Sequence, residues 1–236
     1  MTRPWQVLEC VQTRAGPLEL RRRGERDFLI TLAGRVLMNS AAHRSEVALA
    51  ELAAAAIAGR PAPRLLIGGL GMGYTLRAAL DALPAAARIT VAEIEPAVVR
   101  WCRGPLSALT HAAVDDARVR LEVTDVANVI AAASRREGDG GFDAIALDLL
   151  EGPRGRADPH FGDAALRQLR AALAPGGVVA IWSERPDAGF ERRLAAAGFR
   201  VERSRPGRGG LRHAVTLGRR LGGRLARPDS GQRGPG

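Results

Sequence analysis

"LLIGGLGMGYTLRAAL", residues 65–80, runs from an apolar stretch of strand length through four glycines into an alanine-rich stretch of helical character. A bare turn needs one glycine or two for a positive φ. Gly68, Gly69, Gly71 and Gly73, set between a strand and a helix, imply that something lies close against this backbone. A helix N-terminus offers free N–H groups and a favourable dipole to a ligand placed there. The spacing is not that of a phosphate loop closing on Gly-Lys-Ser/Thr, since the chain has no lysine, and it is not a clean GxGxxG. Tight packing of protein against the loop is the competing explanation.

Outward from this loop the chain alternates. RLLIG (64–68), RITVAEI (88–94), RVRLEV (118–123), FDAIALD (142–148) and GGVVAIW (176–182) read as strands. Helices are expected from Gly73 to Leu83, after Pro96, from about Asp125, near Asp163–Leu173 and over Asp187–Ala197. Such alternation predicts an α/β fold, a Rossmann-like parallel sheet with helices on both faces. FRVERS (199–204) and RHAVTLG (212–218) follow without a helix between them, so the last strand of a seven-stranded sheet should be antiparallel. The first 42 residues differ. WQVLECVQT, PLELRRR, DFLITLAG and RVLM read as a small antiparallel β unit, followed by a helix over roughly Arg44 to Ala58. Three regions result: residues 1–42, a nucleoside-binding domain over 43–218, and a tail over 219–236.

Composition narrows the function. At 236 residues with 46% hydrophobic content, the chain suits one α/β domain with an appendage. No apolar run reaches the ~20 residues of a membrane span. MTRPWQVLEC lacks the apolar centre of a signal peptide, so a cytoplasmic protein without membrane contact is expected. Cys10 and Cys102 match no metal or redox spacing, and no metal is expected. The net charge of +10 is local: residues 1–191 hold 23 arginines and 23 acids, whereas residues 192–236 hold 12 arginines against Glu202 and Asp229. Nucleic-acid binding would therefore come only through the basic, Gly- and Pro-rich tail, which is read as disordered and has no aromatic residue to stack on bases.

Ligands of open α/β sheets lie beyond the carboxyl ends of the strands. Glu93 ends the second sheet strand, where a carboxylate can accept from ribose hydroxyls. Asp125 and Asp148 close the next two strands. Each Asp has an alternative use as a helix N-cap, and for Asp125 that alternative stays open. Three acids around one glycine loop suit a nucleoside that bears a positive charge.

The stretches LLIGGLGMGYTLRAAL, VAEIEPAVVRW, VTDVANVI and FDAIALDLLEGP together resemble the spermidine synthase family, a branch of the class I S-adenosylmethionine-dependent methyltransferase fold. That family shows a GGGDGG-type loop, then VEIDP, then a strand-terminal Asp before a loop ending in Gly-Pro. The resemblance covers most of residues 5–218. It implies a glycine loop at Gly69, Gly71 and Gly73, a ribose-binding acid at Glu93 and an adenine partner at Asp125. It also implies a catalytic acid at Asp148, and Ile94 after the ribose acid is the expected apolar contact to adenosine. Two departures stand out. The loop reads Asp148-Leu149-Leu150-Glu151-Gly152-Pro153, with leucines in place of hydroxyl residues. The family's Tyr-His-Glu run on the leading helix is absent, with only His43 and Glu46 nearby.

The resemblance implies an enzyme that moves an aminopropyl group from decarboxylated S-adenosylmethionine to a small-molecule amine. The sulfonium carbon is already activated, so the protein has to hold a neutral amine in line and take its proton. Asp148 is the expected proton acceptor and Glu151 the expected partner of a second ammonium. Methyl transfer from intact S-adenosylmethionine is the second reading, and a non-catalytic nucleoside- or RNA-binding protein the third. A homodimer is left open.

Overall fold

The computed structural model describes residues 3–135, 141–149, 160–184, 186–204 and 214–221. Four strands open the chain: β1 (Gln6–Thr13), β2 (Gly16–Arg23), β3 (Asp27–Leu32) and β4 (Arg35–Asn39). They pair in sequence order as an antiparallel sheet. Helix α1 (Arg44–Ala56) follows and buries Glu46, Leu49, Ala50, Ala53 and Ala54, the i, i+3, i+4 stripe of an amphipathic helix.

The rest alternates as β5 (Arg64–Gly68), α2 (Tyr74–Ala82), β6 (Arg88–Glu93), α3 (Pro96–Arg103), β7 (Val119–Val123), α4 (Val126–Ser134), β8 (Phe142–Leu147), α5 (Asp163–Ala172), β9 (Leu173–Ser183), α6 (Ala188–Ala196), β10 (Phe199–Ser204) and β11 (Ala214–Arg220). The seven strands lie in the order β10-β11-β9-β8-β5-β6-β7. From β9 to β7 neighbouring strands are parallel, and β11 is antiparallel to both β9 and β10. This is the doubly wound α/β sheet expected from the alternation, with its antiparallel ending. One boundary differs. Helix α5 stops at Ala172 and β9 begins at once at Leu173, before the Pro175-Gly176-Gly177 turn, because Phe142 of β8 pairs with Leu173 across an irregular step in the ladder.

Side chains alternate along the buried strands and divide the core. Leu65, Ile67, Ala144 and Ala146 face a cluster formed with α1, α2 and α3, and Leu18, Leu20, Phe28 and Ile30 of the N-terminal sheet join the same cluster. Leu66, Ile145 and Leu147 face the other cluster, with Val129, Leu169, Phe190 and Leu194 of α4–α6. The same alternation places residue 148 on the α1 side and Leu149, which packs on the second cluster, opposite. Trp101 of α3 is buried, and its Nε1–H donates to Glu9 Oε2 at 2.7 Å, while Arg100 reaches Glu9 Oε1 at 2.6 Å. These contacts pin β1 to α3, and Met38 of β4 lies against Gly71, just beyond the carboxyl end of β5.

Candidate functional site

The loop between β5 and α2 is stitched to both neighbouring strand ends. The Gly69 N–H donates to Ala92 O at 2.9 Å, and the Asp148 N–H donates to Gly68 O at 3.1 Å. Glu93, 7% exposed, accepts from the Leu70 N–H at 2.8 Å and from the Glu95 N–H at 2.9 Å. Burial pushes the Glu93 carboxyl above its ordinary range, against the pull of the Glu95, Leu70 and Gly71 N–H groups. Behind the loop, the Cys102 thiol donates to Gly71 O at 3.3 Å. Burial and then the Glu93 charge push that thiol up to about 12, so it stays protonated and keeps donating.

The structure answers the question raised by the glycines. A Cβ at Gly69 would stand 2.7 Å from the Asp148 carbonyl oxygen. At Gly71 it would run into the side chain of Met38, whose Cε lies 2.7 Å from that point. The close neighbours are therefore protein atoms, from the residue that follows β8 and from β4. Both glycines also have positive φ, +91° and +53°, which adds strain to any substitution.

The acids take up distinct stations. Since β5 lies between β8 and β6, Asp148 and Glu93 straddle the glycine loop. Asp148 is half-buried, and burial followed by the nearby Glu46 charge raises its carboxyl to about 7. Glu46, in the first turn of α1, is 9% exposed and accepts from the Ser45 hydroxyl at 2.6 Å. Asp125 sits one strand further out. It caps α4, accepting from the Ala127 N–H at 2.8 Å, and its Oδ1 also lies 3.0 Å from His160 Nε2. Asp125 thus makes the cap contact, with His160 as an added partner. Ile94 is 61% exposed beside the loop, open to an apolar contact. Glu151, with the rest of the 150–159 stretch and the 222–236 part of the tail, lies outside the described residues.

Tyr74 is the residue that the sequence reading missed. It is the chain's one tyrosine and directly follows Gly73, which was the available signal. Its hydroxyl donates to Ser40 O at 3.0 Å, the same carbonyl that takes the His43 Nδ1–H at 3.0 Å. The two rings stack with centroids 4.1 Å apart. A carbonyl only accepts, so the proton in this contact is carried by His43 Nδ1. Desolvation and then Glu46 raise the Tyr74 hydroxyl above its usual range. Glu46 therefore acts on both Tyr74 and Asp148, and the four side chains form one group on the α1 side of the loop. Replacing Glu46 with Gln removes a like charge from Asp148. Its ionisation should move to lower pH, but only part of the way, because burial is the larger cause. A carboxyl-carbon NMR titration of Asp148 measures this, and an unchanged midpoint would show the two carboxyls to be uncoupled.

Among the described residues, no group of three or more His, Cys, Asp or Glu side chains is placed to hold a metal ion. No described helix is long and apolar enough to cross a membrane.

The sequence profile of the spermine/spermidine synthase domain matches residues 47–190, from the first turn of α1 into α6. The chain belongs to that family. Among solved structures, a spermidine synthase in complex with the transition state analogue AdoDATO matches with a TM-score of 0.69 at 19% identity, over 91% of this chain and 72% of that one. The spermidine synthase from Thermotoga maritima matches with a TM-score of 0.67, with the same identity and coverage. At such identities these likenesses speak for the fold, a spermidine synthase type of methyltransferase-like sheet with a small antiparallel sheet before it. The span of the family profile holds the glycine loop, Glu93, Asp125 and Asp148, while Met38, Ser40, His43 and Glu46 lie ahead of it.

Proposed function

We propose that the protein is an aminopropyltransferase, moving an aminopropyl group from decarboxylated S-adenosylmethionine to a small amine. The observation that carries this is the Asp148 carboxyl, raised to about 7 and set across the glycine loop from Glu93. A group that ionises near neutral pH is suited to take the proton of an ammonium acceptor. The freed nitrogen lone pair then attacks the methylene carbon next to the sulfonium sulfur. The carbon–sulfur bond breaks, its electron pair stays on sulfur, and methylthioadenosine leaves.

The charge of the site supports the decarboxylated donor. The charged side chains described above around the loop, Glu46, Glu93 and Asp148, are all acids. The Leu70 N–H already serves Glu93 and is not open to a donor carboxylate. A tail ending in an ammonium is attracted here, whereas an α-carboxylate is repelled. The AdoDATO complex of a spermidine synthase agrees with this reading as a relative's ligand. Glu93 is assigned to the ribose hydroxyls, Ile94 to the adenosine face and Asp125, through its remaining lone pairs, to the adenine amine.

Calorimetry with decarboxylated S-adenosylmethionine, the intact form and methylthioadenosine tests the proposal. The decarboxylated donor should bind at least about tenfold more tightly than the intact one, the scale of one nearby like-charge contact removed. Tighter binding of the intact form would favour methyl transfer instead.

A further inference from the structure

The donor site just proposed has a consequence for β4, and the inference rests on that reading. A donor whose ribose is at Glu93 and whose reacting carbon is at Asp148 must cross the β5–α2 loop, because β5 lies between β6 and β8. The middle of that loop is Gly71, and Met38 rests directly on it. We propose that Met38 is the residue over which the sulfonium segment of the donor passes, and that its side chain turns aside to admit it. Met38 thereby sets the fit of whatever is attached to the nucleoside's 5′ carbon.

The surroundings decide which partner gives way. The loop is held by Glu93, by the Gly69–Ala92 hydrogen bond and by the positive φ of Gly71. The backbone beyond Met38 is held as well, since the Ser40 hydroxyl accepts from the Phe28 N–H at 2.9 Å and donates to Arg26 O at 3.2 Å. Ser40 O is tied in turn to Tyr74. What remains adjustable is the half-buried Met38 side chain, with three rotatable bonds and a polarisable thioether. The protein fills the approach to its own loop with the most compliant apolar side chain available.

The test compares adenosine, which ends at the 5′ oxygen, with methylthioadenosine, which carries the sulfur and a methyl group. Met38→Ile keeps apolar volume but branches at Cβ and cannot turn away. It should weaken methylthioadenosine by about tenfold, the scale of an overpacked apolar contact, and leave adenosine within about twofold. In the wild-type protein, labelled at the methionine ε-methyl carbons, the Met38 resonance should move with methylthioadenosine and stay with adenosine. Met38 is one of three methionines, so its signal is assigned by its absence in Met38→Leu. That measurement decides the matter should the isoleucine variant fold poorly. Binding of both nucleosides with no selective Met38 response would overturn this inference alone. Failure of either nucleoside to bind the wild type would overturn the donor site and this inference with it.

Discussion

Asp148→Asn should bind methylthioadenosine within a fewfold of the wild type and yet turn over at least about a hundredfold more slowly, the usual scale of a lost general base. Asparagine keeps the size and much of the hydrogen bonding of the side chain but takes no proton and carries no charge. The Asp148 backbone is what meets Gly69 and Gly68, and the substitution leaves it in place. Donor binding and loop geometry should therefore survive, which separates loss of chemistry from loss of the site. The wild-type rate should rise with pH through about 7 as Asp148 ionises, and the residual rate of the variant should lack that limb. Full turnover by Asp148→Asn would remove proton transfer to this residue from the mechanism and leave positioning to drive the reaction.

Stability gives the same residue a second signature, of definite sign. The folded-state ionisation near 7 stands above the ordinary value of 3.8, so between those limits the native chain holds a proton that the unfolded chain has released. The contribution is fully present below about 3.8 and is lost as pH rises through about 7. Wild type should thus lose melting temperature across that window. Asp148→Asn, neutral throughout, should be the more stable of the two at about pH 8.

What could be read from the chain beforehand was what sequence neighbours decide. The apolar strands, the stop of α1 before Gly59-Arg60-Pro61 and the glycine run between RLLIG and the next helix are local patterns, and the sheet followed from their order. The acids at the strand ends were visible for the same reason. Contacts across long separations were not. Nothing in Met38 or Ser40 announces that each meets the β5–α2 region some 30 residues on, because those meetings depend on how the N-terminal sheet is docked through Glu9 and Trp101. Tyr74 was hidden differently: it falls within the helical pattern of α2, and only the fold sets it against His43 from the start of α1. The early start of β9 was hidden by Pro175-Gly176-Gly177, which looks like a turn before a strand and is a turn within one.

Glu93→Ala should weaken nucleoside binding by at least about a hundredfold, two charge-assisted hydrogen bonds being worth roughly 3–6 kcal/mol together. Two causes would contribute, and they can be separated. The carboxylate holds the Leu70 and Glu95 N–H groups, so its removal leaves both without that acceptor and loosens the loop. Carboxylate lone pairs beyond those engaged by the Leu70, Gly71 and Glu95 N–H groups are the acceptor capacity assigned to the ribose hydroxyls. Comparing adenosine with 2′-deoxyadenosine distinguishes the roles. If Glu93 accepts from the 2′-hydroxyl, the wild type discriminates against the deoxy form and Glu93→Ala loses that discrimination. If Glu93 only secures the loop, both nucleosides weaken together and their ratio is unchanged. Because Glu93 is buried and bonded to loop backbone, the alanine variant should also melt at lower temperature. Loss of 2′-hydroxyl discrimination is the readout that a purely structural part cannot produce, and its persistence in the variant would take Glu93 out of the ribose site.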